Sequence, residues 1–207
     1  MATFAKSLVT AGNAYAGIGS RETPADICAL MTQIARVLDA RGMILRSGGA
    51  DGADNAFAIG ARIGHREIFT PWKTFQPKAG PFIPDTIPLA GSKYELPALH
   101  LAAAYHPTWD VPFGQRGHLT QGAKRLHARN CQQMLGETLG NLSAFVICWT
   151  KDARGGGGTG QAIRLARAHG VPVFDLADPQ TLASVLPALD IAPLPANPVF
   201  ASSDLEI

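Results

Sequence analysis

Three glycine-rich stretches hold most of the residues that could do chemistry. They are GIGSRETP (residues 17–24), RSGGADGADN (46–55) and ARGGGGTGQA (153–162). Glycine allows another group to approach the backbone closely, and the unpaired N–H groups at a helix N-terminus attract anions. Arginine adds a planar, forked donor that matches phosphate or carboxylate oxygens. The stretches therefore predict a site for a phosphate-bearing ligand, with tight packing of the glycines as the simpler alternative.

The candidate ligand-binding residues lie in these stretches and in one arginine–asparagine pair farther along the chain. They are Gly19, Ser20, Arg21, Arg46, Ser47, Gly48, Gly49, Asp51, Arg129, Asn130, Gly156, Gly157, Gly158 and Thr159. For Arg46, an ion pair is the alternative to a phosphate contact. No stretch ends in GK[ST], which argues against a P-loop ATPase. Residues 155–160 have GxGxxG spacing but lie in a run of four consecutive glycines, so the match is not specific for a nicotinamide-dependent dehydrogenase.

The elements that must position these stretches alternate between strand and helix. Apolar runs at 14–20, 43–47 and 142–149 predict strands that lead into the three stretches, and REIFTP and VPVFDL predict two more. Helical periodicity follows the glycines, as in residues 27–38, where one face is apolar. This alternation predicts an α/β fold with a mainly parallel sheet and helices on both faces. All three stretches then fall at the carboxyl edge of the sheet, where such folds bind ligands.

Two segments interrupt or follow this alternation. Residues 72–119 are rich in proline and show little periodicity, which predicts an irregular insertion that forms a lid. Trp72 and Trp109 within it are the candidates for stacking on a base or forming the rim. Residues 187–207 are proline-rich and end in acidic residues, so we expect a loosely packed tail after a single domain that spans 1–186.

The composition narrows the class of protein. The net charge is +2 and 12 of the 18 basic residues are arginine, a balance that allows an anionic ligand without requiring one. Three cysteines without CxxC spacing predict neither a disulfide framework nor a zinc site, and we expect no metal and no cofactor. Neither a signal segment nor a bilayer-spanning run is present, so we expect a cytoplasmic protein without a membrane partner.

A basic segment lies between the second and third stretches. Residues 113–136 contain no acidic residue but carry Arg116, Lys124, Arg125 and Arg129. A basic helix face of this kind, with Trp109 nearby, suits contact with a nucleic-acid backbone. The alternative is an ordinary solvated helix face.

Four motifs, in this order, resemble the SLOG superfamily of Rossmann-like proteins. They are GIGSRETP, RSGGADGADNAFAIGA, RLHARNCQQMLG and GGGGTGQAIRLARAHGVPVFDL. The superfamily includes DNA-processing protein A (DprA) and the LOG phosphoribohydrolases, also known as lysine-decarboxylase-like proteins, and this sequence is most similar to the small DprA-like proteins of tailed phages and their hosts. The resemblance implies a Rossmann-like fold, and the likeness of HARN to a DprA motif implies that Arg129 and Asn130 line a nucleotide pocket.

The resemblance carries two activities. In DprA the Rossmann-like core binds single-stranded DNA and loads a recombinase. In LOG enzymes the corresponding pocket holds a nucleoside monophosphate, and water cleaves its N-glycosidic bond. The LOG loop resembles PGGxGTxxE, and here the glycines and Thr159 are retained while Ala162 replaces the catalytic glutamate.

Hydrolysis would therefore need another acid or base, because water must be activated or a ribosyl cation stabilised. The candidate catalytic residues are Asp51, Asp54 and Glu22. For the two aspartates, the alternative is a local turn or a helix cap.

The sequence thus predicts a DprA-like, nucleotide-binding protein of a bacterial cell or a phage-infected host. The alternatives are an enzyme that cleaves or transfers the N-glycosidic bond of a nucleoside monophosphate, and a single-stranded DNA-binding protein of recombination. The expected partner is a nucleotide or nucleotide-derived small molecule, and single-stranded DNA and a second copy of the chain are further candidates.

Overall fold

The fold is built on one six-stranded parallel sheet. A computed structural model describes residues 4–10, 12–153, 155 and 157–192. The elements are α1 (Phe4–Thr10), β1 (Ala14–Gly17), α2 (Ala25–Ala40), β2 (Ile44–Ser47), α3 (Ala53–Gly60), β3 (Arg66–Thr70), β4 (Thr86–Pro88), α4 (Glu95–Ala104), α5 (Gln121–Leu135), β5 (Val146–Cys148), α6 (Gly157–Ala168), β6 (Val173–Asp175) and α7 (Pro179–Ala188), with a short 3₁₀ turn at Lys151–Ala153. The strands alternate with helices as the sequence predicts.

The order in which the chain adds strands to the sheet reverses at β1. The order across the sheet is β4-β3-β2-β1-β5-β6, and every neighbouring pair is parallel. The chain moves outward from β1 to β4 and then returns to the other side of β1 as β5. In an open α/β sheet, the crevice at the carboxyl ends of two such strands is the usual ligand site. The topology is Rossmann-like and directs attention to the gap between β1 and β5.

Helices cover both faces of the sheet, and alternate strand residues belong to different cores. Tyr15 and Ile147 pack with α1, α2, α3 and α7 on one face. Ala16 and Val146 pack with α4, α5 and α6 on the other. Because successive side chains of a strand point to opposite faces, a strand buried on both faces is apolar unless its polar side chains have internal partners. This explains why β1 and β5 are continuous apolar runs, whereas β2 carries the buried Arg46 and Ser47. The sheet and its two helical layers confirm the α/β class.

The insertion at 72–119 is more regular than expected. Thr86–Pro88 forms β4, which extends the sheet beside β3, and Glu95–Ala104 forms α4. Ala98 and Ala102 of α4 are fully buried in the core that α5 shares. The expectation of an irregular segment is corrected to this extent. Small alanine side chains let α4 and α5 approach closely, so the contact does not require an obvious apolar stripe.

The expected boundary at residue 187 falls inside a helix. Asp178 caps α7 by accepting the N–H of Gln180 at 3.0 Å, and the helix continues through Pro187 to Ala188. Leu189 and Ile191 are then buried in the core. The beginning of the expected tail is therefore packed, and its remainder, 193–207, lies outside the described residues. Within the described ranges, no helix combines the length and apolar character that crossing a membrane would require.

Candidate ligand-binding cleft

A cleft of about 690 Å³ opens at the gap between β1 and β5. Four parts of the chain line it: the β1–α2 loop, the start of α3, one side of α5, and the β5–α6 loop with the first turn of α6. The first and third glycine-rich stretches thus meet at one site. The second contributes only Ala50 and Asp54 to the lining.

The β1–α2 loop forms one wall and is fixed at Ser20. The Ser20 hydroxyl accepts the N–H of Glu22 at 3.0 Å, and the Ser20 carbonyl accepts the N–H of Ala53 at 3.2 Å. The second bond ties the loop to the start of α3. Arg21 and Glu22 are exposed and line the cleft, so a cation and a carboxylate stand side by side at its mouth.

A buried ion pair between Asp54 and Arg129 lies on another part of the cleft wall. The distance from Arg129 Nη1 to Asp54 Oδ2 is 3.2 Å, and each side chain is 6% exposed. Burial raises the pKa of Asp54, while Arg129 and the backbone N–H of Ala50 oppose that rise. The Arg129 Nε is buried without a hydrogen-bond partner. Because a guanidinium stays protonated in proteins, Arg129 places a fixed cation with unused donor capacity beside the cleft.

Gly48 makes room for that arginine. A Cβ added at Gly48 would lie 1.5 Å from Arg129 Nη1 and 2.5 Å from Asp54 Oδ2. The space that the missing side chain leaves is therefore occupied by the protein's own ion pair. Gly48 does not line the cleft, and packing against the ion pair explains this glycine without a ligand.

Gly49 and Gly52 are likewise explained by packing within the protein. Gly49 has φ +63° and lies against Ile68, with 3.1 Å between its added Cβ and that side chain. Gly52 has φ +75°, and an added Cβ would lie 2.5 Å from the Ser20 carbonyl oxygen. A positive φ and a backbone neighbour at that distance both exclude a side chain. The second stretch is a tight junction with the β1–α2 loop.

Arg46 and Ser47 do not line the cleft. Arg46 is buried, with Nε 2.7 Å from Glu67 Oε2 and Nη1 2.6 Å from the carbonyl oxygen of Asn141. The Ser47 hydroxyl donates to the Gly17 carbonyl at 2.7 Å. Both were expected to contact a ligand, but in this structure they bond to internal partners and neither lines the cleft. For Arg46, the ion-pair alternative is the one observed, with the arginine buried and Glu67 partly exposed.

The three candidate carboxylates have different surroundings. Asp51 accepts the N–H of Ala79 at 2.9 Å and lies outside the cleft, so it anchors the 72–119 segment. Asp54 lines the cleft but is engaged by Arg129. Glu22 lines the cleft and is exposed. Ala162, where a LOG enzyme would carry its glutamate, is buried on the cleft wall.

The β5–α6 loop is held by an aspartate from the next strand. Asp175 accepts the backbone N–H of Thr150 at 3.1 Å and also the Thr150 hydroxyl. That hydroxyl in turn accepts the N–H of Gly155 at 3.0 Å. This network fixes the loop that leads into α6. Gly156, a predicted ligand-binding residue, lies outside the described residues.

The first turn of α6 faces the cleft. Gly157 begins the helix, and Gly158 and Thr159 line the cleft. The first four N–H groups of a helix have no partner within it, and they carry the positive end of the helix dipole. Asn130 of α5 donates to the Gly158 carbonyl at 3.2 Å, which fixes α5 against this turn. Asn130 thus helps to build the anion-attracting wall.

His127 lies on the α5 side of the cleft, in contact with His106. It is 9% exposed, its ring centroid is 4.2 Å from that of His106, and its Nδ1 is buried without a partner. Burial, followed by His106, lowers the pKa of His127 to about 4; Arg129 and Arg164 act in the same direction and a hydrogen bond with Gln161 opposes them. The imidazole is neutral at pH 7.

The comparisons with known proteins add little to this geometry. The chain matches no protein-family model and no curated protein. Among solved structures it is similar to DNA processing protein A from Helicobacter pylori, described for its single-stranded DNA binding, with a TM-score of 0.48 and 21% identity over 81% of this chain. This chain covers 66% of that structure's chain. The α/β assignment rests on the sheet itself.

The two tryptophans expected at the lid lie beside the cleft and do not line it. The Trp72 ring lies 3.8 Å from the Cβ position of Gly122, at the start of α5. Trp109 packs against His106, and Lys124 Nζ is 5.1 Å from its ring centroid. None of the lining residues comes from 72–119. The segment packs against α5 from outside the cleft, so it does not cover the cleft as a lid in this structure, and stacking of a base on Trp72 or Trp109 stays a prediction.

The structure brings together about half of the predicted ligand-binding residues and adds others. Gly19, Ser20, Arg21, Arg129, Asn130, Gly158 and Thr159 all line the cleft. His127, Gln133, Thr150 and Lys151 line it as well and were not predicted. Position in the sequence could have indicated Thr150 and Lys151, because they follow β5 directly. His127 and Gln133 carry a weaker signal, the spacing of residues on one face of α5 with Asn130.

Proposed function

We propose that this protein binds a phosphorylated nucleotide or nucleotide-derived small molecule in the cleft between β1 and β5. The observation that carries the proposal is the convergence of cationic groups on one cleft. Arg21, Lys151 and Arg129 line it together with the first turn of α6. Charged donors and helix N-termini are the groups that bind phosphate in proteins.

The size and walls of the cleft support a ligand of nucleotide dimensions. Small-molecule sites span about 300–1,000 Å³, and this cleft measures about 690 Å³. Ile18, Leu126 and Ala50 provide apolar wall beside the cationic groups. A nucleotide fits these walls, because its phosphate can meet the cationic groups while its flat base lies against the apolar side chains.

The enzyme alternative has weaker support from the geometry. A hydrolase needs a carboxylate that is free to accept a proton or stabilise a cation. Asp54 is paired with Arg129, and Glu22 is the exposed carboxylate that would remain. Incubation with nucleoside monophosphates and chromatographic detection of free base tests this alternative directly. If wild type releases free base and Glu22→Gln does not, the protein is an enzyme that cleaves the N-glycosidic bond rather than a binding protein alone.

Calorimetric titration tests the binding proposal. The panel is AMP, GMP, CMP, UMP and ADP-ribose at low salt, and we expect at least one to bind. Arg21→Ala and Lys151→Ala should each weaken binding by about tenfold, because a hydrogen bond to a charged group is worth about 1.5–3 kcal/mol. Arg36→Ala removes an exposed arginine of α2 and is the matched control. Absence of binding across the panel, or equal affinity in the Arg21→Ala/Lys151→Ala double variant, refutes the proposal.

Single-stranded DNA is the second candidate ligand, and a surface feature rather than the likeness to the Helicobacter pylori protein supports it. Lys124 Nζ lies over the half-buried Trp109 ring, and Lys124 follows Ala123, which lines the cleft. A cation beside an aromatic ring suits a phosphate and its base. Affinity for oligo-dT should fall steeply between two salt concentrations, and it should fall in Trp109→Ala. Lack of binding at low salt removes this candidate.

A further inference from the structure

His127 has a polar atom with no partner at the wall where a ligand phosphate is proposed to bind. The residue is 9% exposed, and its Nδ1 is buried without a hydrogen bond. A Cβ added at Gly158 would lie 3.9 Å from His127 Cε1, so the ring stands against the first turn of α6. A buried, unpaired polar group is costly and uncommon.

The groups that act against a proton on His127 come from three parts of the chain, and two of them are arginines. His106 follows α4, Arg129 lies on α5, and Arg164 lies on α6, and all three disfavour a proton on His127. Gln161 of α6 is the polar neighbour that favours one. Among the described residues, no carboxylate is included in the groups that act on this histidine. Asp54, the carboxylate on the same cleft wall, is already paired with Arg129, and no salt bridge in the described residues joins a carboxylate to His127 itself.

An anion at the first turn of α6 would supply a negative charge beside His127. It would offset the repulsion from Arg129 and Arg164, and it would give a protonated imidazole an acceptor. A protonated imidazole donates from both ring nitrogens, whereas the neutral ring donates from only one. An opposite charge within a few ångströms favours the charged form of a titrating group.

We propose that His127 takes up a proton when an anionic ligand binds beside the first turn of α6, and that the resulting imidazolium is a ligand-binding residue of the cleft. The proton comes from the solvent and returns to it when the ligand leaves. The inference rests on the proposed function, and it assigns the ligand an anionic group on the α5 side of the cleft. Affinity then rises as the pH falls, by up to about tenfold for each pH unit, the limit for one linked proton.

Titration calorimetry in two buffers with different ionisation enthalpies measures the linked proton. ADP-ribose is the first probe, because its pyrophosphate has no ionisation near pH 6, whereas a phosphomonoester has a second pKa of about 6. If only a nucleoside monophosphate binds, the same titration of His127→Gln reports the proton of the phosphate alone and is subtracted. At about pH 5.5 we expect wild type to take up close to one proton more than His127→Gln. His100→Gln removes an exposed histidine of α4 and should behave as wild type.

A second measurement does not depend on the variant folding. The ring signals of His127 in wild type are followed by NMR as the pH is changed, with and without saturating ligand. We expect the titration midpoint to lie well below that of an ordinary histidine in the free protein and to rise when ligand is bound. A midpoint that ligand binding leaves unchanged, or binding without proton uptake, overturns the inference while leaving the proposed function intact. Binding by no member of the panel removes the proposed function, and the inference with it.

Discussion

The second and third glycine-rich stretches look alike in sequence and are used differently. In the second, the space beside Gly48 is filled by Arg129 and the space beside Gly52 by the Ser20 carbonyl. In the third, the Gly155 carbonyl fills the space beside Gly160, but the nearest atom to a Cβ added at Gly158 is 3.9 Å away, and Gly158 lines the cleft. A glycine-rich stretch at the end of a strand therefore has two uses, to let the protein pack tightly on itself or to leave space for a ligand. The neighbouring atoms decide between them.

The largest loss of stability should come from removing the ion pair that packs against the second glycine-rich stretch. Asp54→Ala leaves the buried Arg129 guanidinium without its partner, so we expect a loss of about 3–5 kcal/mol in the free energy of unfolding. Urea denaturation measures it. Asp190→Asn removes the charge of an exposed partner of Arg41 at 3.4 Å and keeps a residue type that tolerates φ +57°, so it should cost less than about 1 kcal/mol. Equal effects of the two variants would show that the second stretch is not packed around Arg129.

A direct comparison of glycines should give the next largest effect. Gly52→Ala places a Cβ 2.5 Å from a backbone oxygen at φ +75°, a conformation that alanine rarely adopts. We expect a loss of about 3 kcal/mol from the strain and the overlap together. Gly158→Ala should change stability by about 1 kcal/mol or less in either direction, because its Cβ meets only ordinary contacts and alanine favours a helix. Thermal unfolding of both variants tests the difference, and a reversed order contradicts it.

The pH dependence of the free energy of unfolding should report the lowered pKa of His127, which lies among the cationic groups of the cleft. The pKa of His127 is lowered to about 4 in the folded protein, from the ordinary histidine value of 6.5. Between these values the unfolded chain binds more protons, so stability falls as the pH falls through this window. The shift corresponds to about 3 kcal/mol, which solvent at the cleft reduces to about 2 kcal/mol. His127→Gln should lose that part of the pH dependence and His100→Gln should keep it; identical curves for wild type and His127→Gln would count against the buried, neutral imidazole.

The smallest of these effects should appear in binding rather than in stability. Gly158→Asp puts a carboxylate at the open position facing the cleft, where it repels an anion. We expect a loss of affinity for the nucleotide of about tenfold relative to Gly158→Asn, which has nearly the same shape without the charge. Calorimetric titration of the two variants measures it. A substitution pair with equal affinities would place the phosphate elsewhere in the cleft.

Much of the fold could be predicted because local patterns determine it. Ile27, Leu30 and Ile34 repeat at helical spacing, and all three are buried in α2. Strands β1 and β5 are continuous apolar runs that the composition alone indicates. Helix α4 was missed because its sequence, ELPALHLAAA, has no polar face opposite an apolar one. Its burial depends on alanines that meet α5, which is a tertiary property.

The site could be predicted where its residues follow a strand directly. Ser20 and Arg21 lie just beyond β1, and the topology alone brings that loop to the cleft. Arg46 also lies at a strand end, but its partner Glu67 is on the neighbouring strand and no spacing in the sequence indicates that pair. The contact between His106 and His127 depends in the same way on how α4 packs against α5. Pairing across elements sets the chemistry of these side chains, and the sequence carries no local signal for it.

The ion pair between Asp54 and Arg129 also has a mechanical consequence. Asp54 lies at the start of α3, which packs on one face of the sheet, and Arg129 lies on α5, which packs on the other. The pair therefore fastens the two helical layers together across the rim of the sheet. If the two helical layers moved relative to one another, the distance between Asp54 and Arg129 would increase and the cleft beside them would change shape. The spacing of the cleft walls is therefore set by this ion pair as well as by side-chain packing.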